Sequence, residues 1–237
     1  MRHHDGTVAA VIAELARVRH GVVTRRRLLA AGVTLAEVRS RLRSGSLLLE
    51  YPGVYRVGHQ APSREATYLA AVEACGVGAL LCGRAAAHLH RLIRGPAPPP
   101  EVVARSERRI EGILTCRSRR FDPCEATVVL GIPVTTVART LVDLAAVLGA
   151  EALARACHEA GVLHGTTPGE VEAVLARWSH SPGSGRLRAV LRGDVKVTLS
   201  TLERSFLRML RAEGLPLPVT NRPAGGRRVD CRCPSYA

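Results

Sequence analysis

Glycine and proline punctuate the stretch after residue 20 so tightly that only short elements fit between them. Gly21, Gly32, Gly45 and the pair Pro52-Gly53 cut it into pieces of roughly a dozen residues or fewer. No long helix and no broad sheet can be built from such pieces. Each piece must therefore be a single short helix or strand, joined to the next by a tight turn.

The pattern inside each piece says which. Val8, Ile12, Leu15 and Val18 recur at helical spacing, predicting an amphipathic helix over residues 7–19 that His20-Gly21 ends. Thr24 is placed to cap a second helix over 25–31, closed by Gly32. Thr34, with Glu37 three positions on, has the capping-box form and predicts a third helix over 35–44. Leu35, Val38 and Leu42 make its apolar stripe, and Glu37, Arg39, Ser40, Arg41 and Arg43 its remaining surface. Ser46 to Tyr51 is an extended apolar run, and Val54 to Val57 returns beyond the Pro52-Gly53 turn as the second strand of a hairpin. Three helices followed by a hairpin is the order of a winged helix-turn-helix. In that arrangement the third helix fits the major groove of duplex DNA, about 12 Å wide, and the hairpin touches the neighbouring backbone.

Charge points the same way. The 237 residues carry 34 Lys+Arg against 20 Asp+Glu, a formal net charge of +14. Lys196 is the sole lysine, so the basic residues are almost entirely arginine. A codon bias explains that ratio but not the excess of positive charge, which favours a polyanionic partner such as double-stranded DNA. Arg25, Arg26 and Arg27 sit at a helix start, where the helix dipole disfavours cations, so a phosphate contact is the natural reason for them. Arg39, Ser40, Arg41 and Arg43 are the groove-facing candidates, and Arg56 is the candidate on the hairpin.

The rest of the chain reads as a mixed α+β protein. Residues 1–60 form the DNA-binding module, 61–195 a middle domain and 196–237 a third segment. Val102-Val103, Ile113-Leu114 and Thr127 to Leu130 predict short strands; Thr136 caps a helix with Val137, Leu141, Leu144 and Leu148 on its apolar face; Thr167 and Glu170 frame another capping box. The proline run 95–100 and the Ser/Gly stretch 179–185 are loops. His88 and His90 are two apart, on different sides of a helix, which is wrong for a paired metal site. Arg139 and Asp143 have the spacing of a helical ion pair. Seven scattered cysteines without CxxC spacing predict neither a disulfide framework nor a zinc site. No apolar run is long enough to span a bilayer, since Glu73 interrupts the longest, Tyr68 to Leu81. No signal peptide is recognisable, so a cytoplasmic location is expected.

Gly21 to Val33, Arg41 to Leu47 and Gly53 to Gly58 together resemble the N-terminal domain of AbiEi-type antitoxins, from type IV toxin–antitoxin systems. The resemblance covers about residues 5–60. It implies a winged-helix transcriptional regulator of its own promoter, without enzymatic activity, and a nucleotidyltransferase-like toxin as protein partner. Leu80 to Leu92, expected to be a helix, and Gly131 to Leu144 resemble the companion segment of those proteins.

The third segment resembles the beginning of a very-short-patch-repair-like endonuclease of the PD-(D/E)xK class, on Leu199 to Arg211, Gly214 to Val219 and Arg228 to Cys231. That resemblance matches Glu203 and Asp230 to two of the acids that hold Mg²⁺ in the family. The third acidic element has no counterpart before the sequence stops at Ala237, and an inactive helix–hairpin remnant is expected. Glu203 is also explained as the last position of a capping box begun by Ser200.

Overall fold

The computed structural model describes residues 2–58, 63–106, 109–118, 122–195, 209–215, 219–224 and 227–232. It is an α+β protein whose chain separates into two compact units, Met1–Thr140 and Leu141–Ala237.

The first unit begins with α1 (Arg2–Arg17), β1 (Val22–Thr24), α2 (Arg25–Ala30), α3 (Leu35–Arg43), β2 (Leu47–Tyr51) and β3 (Val54–Val57). The three strands form one antiparallel sheet in the order β1-β3-β2. Alternation along the strands buries both of its faces. Val23, Leu47 and Tyr55 pack with Val8, Ile12 and Ala16 of α1, Leu28 of α2 and Val38 of α3. Val22 and Val54 join the opposite cluster, built around α4 (Arg64–Cys75). That helix is apolar nearly all round, with Ala66, Tyr68, Leu69, Ala70, Ala71, Val72 and Cys75 buried, as a helix packed on several sides must be.

The elements β4 (Leu80–Leu81), α5 (Gly83–Leu89), β5 (Glu101–Ala104), β6 (Leu114–Arg117), β7 (Ala126–Val129) and β8 (Ile132–Thr135) follow. The five strands make a mixed sheet in the order β6-β5-β4-β8-β7, with β5–β6 and β4–β8 parallel. The capping atoms of this part are built in: Glu101 accepts the Arg84 backbone N–H at 3.1 Å, and the Tyr68 hydroxyl donates to the Pro98 carbonyl at 3.1 Å. The chain passes between the units inside α6 (Val137–Ala145).

The second unit holds α7 (Ala150–His164), α8 (Pro168–Arg177) and α9 (Ser184–Leu191), then an antiparallel hairpin of β9 (Val219–Ala224) and β10 (Arg227–Arg232). Leu141, Leu144, Leu153, Leu175 and Leu187 are fully buried leucines among its described residues. Arg186 donates to the carbonyls of Ala145 and Leu148 at 3.1 and 2.7 Å, satisfying groups left open at the end of α6.

Several expectations need correction. Val18 lies beyond the end of α1 and is 65% exposed, so Ala16 takes the buried position. Leu35 is exposed rather than part of the α3 stripe. Leu80 to Leu92 is not one helix: Leu80-Leu81 is a strand held between β5 and β8, and the helix starts at Gly83. The mutual spacing of Arg139 and Asp143 suggested a partner one turn away. Arg139 also donates to Glu125, fourteen residues earlier, at 3.0 Å, a partner the spacing does not reveal, and Glu125 is only 1% exposed.

Candidate nucleic-acid interface

The third helix is fixed before its surface is considered. The Thr34 side chain accepts from the Glu37 N–H, and the Glu37 carboxylate accepts from the Thr34 N–H at 2.7 Å, so the capping box is complete. Val38 is buried and Leu42 half-buried, which turns the opposite face outward. Ala36, Arg39, Ser40 and Arg43 are all exposed, at positions i, i+3, i+4 and i+7. They form one stripe along the helix. Among the described residues no acid pairs with Arg39 or Arg43. Arg41 is half-buried at the side of this stripe.

The three arginines of α2 do not act alike. Thr24 caps the helix through its side chain, accepting from the Arg27 N–H at 3.3 Å. Arg25 is exposed, and its Nε donates to the Tyr55 hydroxyl at 3.1 Å, so a phenol on β3 fixes the direction of the guanidinium. Arg26 is exposed and has no ion-pair partner among the described residues. Arg27 turns toward α4, where its Nη2 lies 4.0 Å from Glu73. Glu73 is paired with Arg19 as well, both side chains being less than one-fifth exposed. Burial pulls Arg19 below the ordinary arginine range, opposed by Glu73 and reinforced by Arg27. Arg19, Arg27 and Glu73 thus hold the first sheet against α4, and Arg27 is withdrawn from the exposed set.

Arg56 is withdrawn too. Its Nε donates to Glu50 on the adjoining strand at 2.6 Å, and its side chain is 13% exposed. The hairpin arginine is therefore a strand-to-strand clasp. The eight positions picked from sequence resolve into an exposed group, Arg25, Arg26, Arg39, Ser40 and Arg43, and a structurally engaged one, Arg27, Arg41 and Arg56.

Sequence reasoning passed over Tyr55 and Glu73, the residues that decide this partition. Glu73 did carry a signal: a lone carboxylate inside a buried apolar helix requires a cationic partner. Ala36 was also missed, because an alanine has no signal of its own until the helix face is known.

His88 and His90 are buried core residues, their Nε2 atoms 3.2 and 2.8 Å from the carbonyls of Gly95 and Thr135. Among the described residues no group of three or more His, Cys, Asp or Glu could hold a metal ion. Glu203 lies outside the described residues, and Asp230 falls on β10. No described helix is long and apolar enough to cross a membrane.

No protein-family model matches the chain, and no curated protein matches it. Among solved structures it is similar to the Rv2827c protein of Mycobacterium tuberculosis, with a TM-score of 0.50 and 21% identity over 78% of this chain and 76% of that one. The likeness is one of fold.

Proposed function

We propose that the protein is a DNA-binding transcriptional regulator whose residues 1–60 act as a winged helix-turn-helix. The observation that carries this reading is the exposed stripe Ala36, Arg39, Ser40 and Arg43 on a capped helix. Two arginines and a hydroxyl around a small residue suit a base-lined groove, because alanine lets the helix approach closely while the guanidinium forks reach guanine edges. Arg25 and Arg26, at the start of the preceding helix, supply phosphate contacts that set the docking. The net charge of +14 supplies the long-range attraction. The sequence resemblance extends this reading to an antitoxin of the type IV toxin–antitoxin kind, acting on its own promoter, with a nucleotidyltransferase-like toxin as its protein partner.

The test is binding of the full chain to the duplex upstream of its own gene and to a scrambled duplex, over a salt series from about 50 to 200 mM. Losing Arg39 or Arg43 to alanine should cost about 1–3 kcal/mol on the specific duplex and erase much of the preference. Arg26→Ala should weaken both duplexes alike and lower the salt slope by about one. Arg56→Ala should do neither, because Arg56 is already held by Glu50. Equal affinity of the intact chain for both duplexes would sink the promoter-binding reading.

A further inference from the structure

Beside the start of α2, within the first unit, lies a cleft of about 540 Å³ that the groove-reading role does not use. Its wall is largely apolar: Leu29, Val72, Val77 and Pro133 line it, together with the glycines at 76 and 78. Arg25 and Arg26 line it as well. The acid that also lines it, Glu73, is already engaged by Arg19 and lies 4.0 Å from Arg27, so it does not neutralise them. A volume in the range of small-molecule sites, an apolar wall and a few convergent polar groups together describe a ligand site. The two exposed guanidinium groups choose the ligand's charge.

We propose that this cleft binds a small amphipathic organic anion, an apolar body carrying a carboxylate or sulfonate, and that its occupant competes with DNA for Arg25 and Arg26. The apolar body rests on Val72, Leu29 and Pro133, and the anionic group faces the two arginines. Val77, 87% exposed, adds apolar surface to the lining. The ligand and a DNA phosphate then claim the same guanidinium groups, so an occupied cleft releases the operator. The competition rests on the DNA-binding reading above; the binding of the anion does not.

The experiment uses the full chain and anilinonaphthalene sulfonate as the anionic probe, followed by fluorescence and by calorimetry without DNA. One saturable site is expected. Val77→Asp, which places a like charge in the lining on an exposed residue, and Arg26→Gln, on a different element, should each weaken the probe about tenfold or more. The uncharged analogue N-phenyl-1-naphthylamine should bind about tenfold less tightly than the sulfonate. Unsaturable binding, or binding indifferent to both substitutions, overturns the site, and equal affinity for the uncharged analogue overturns its anion preference. In a second arm, the probe should raise the apparent Kd for duplex DNA in the intact chain and do so far less in Arg26→Gln. A chain that binds the probe as described but binds DNA unaffected by it overturns the competition alone. A chain that binds no DNA overturns the competition together with the regulator reading, while the probe titration still decides the site.

Discussion

A methyl group added at Gly183 would have to occupy the space of a carbonyl. The Cβ would fall 1.9 Å from the Ala145 oxygen, and the backbone there has φ +81. Neither atom is the movable end of a side chain, so Gly183→Ala should cost about 2–4 kcal/mol, from overpacking plus left-handed strain, read as a lower urea midpoint at unchanged slope. The Arg139–Glu125 pair makes a prediction of a different form. Glu125 is 1% exposed, and removing its cation strands a buried carboxylate. Arg139→Met should therefore cost about 3–5 kcal/mol, and adding Glu125→Met should recover most of that loss. A double variant no more stable than Arg139→Met would show that the arginine matters for packing rather than for charge. These residues also mark what can be read from a sequence. The arginines of the candidate surface were legible one by one, because charge and helix position are local. Their division was not, because Glu73 for Arg27 and Tyr55 for Arg25 are distant in sequence, 46 and 30 positions away.

At the scale of elements, the helices opened by Thr24, Thr34 and Thr167 were readable from their caps, while α4, capped by Ser63 ahead of a nearly continuous apolar run, was not. Of the three capping boxes expected, Thr34 with Glu37 and Thr167 with Glu170 are formed, and Ser200 with Glu203 lies outside the described residues. The strands β1, β4 and β8 were missed for a common reason. At 3, 2 and 4 residues they are too short to show a period, and buried faces on both sides leave no polar alternation to see. Pro133 also lies inside β8, and proline lacks the N–H that a ladder uses, so the segment carries a residue untypical of a central strand. Its place between β4 and β7 is set by tertiary packing. The cap of α3 makes a prediction that connects stability with function. A helix of 9 residues is too short to persist by propensity alone, so its first turn depends on the box. Thr34→Ala should lower unfolding stability by about 1 kcal/mol. It should also weaken binding to the specific duplex while leaving the salt slope unchanged, since every arginine remains and only the helix that aims them frays. A changed slope would mean that the cap alters phosphate contacts instead.

For the molecule as a whole, the excess of positive charge sets a stability that depends on salt in an unusual direction. Among the described residues, exposed ion pairs such as Arg17 with Glu14 and Arg155 with Glu151 are local, each worth at most about 1 kcal/mol and partly screened. The net charge of +14 acts over longer distances and opposes the compact state. At about 10 mM ionic strength the screening length is near 30 Å, comparable with a small domain, and at about 0.1 M it is near 10 Å. Salt therefore relieves more repulsion than it removes attraction, because the paired atoms lie well inside either length. Raising sodium chloride from about 10 to about 300 mM should raise the Tm by several degrees; chloride rather than sulfate keeps excluded-solute stabilisation out of the comparison. Duplex DNA should reverse the order. If the regulator reading holds, it should bind the folded state tightly at low salt and raise the Tm through mass action, a gain that should fade at high salt with the counterion release that drives it. The two curves, with and without DNA, should converge as salt rises. A Tm that falls steadily with salt in the protein alone would mean the cations are neutralised within the fold. That result would remove the exposed positive surface on which the regulator reading depends.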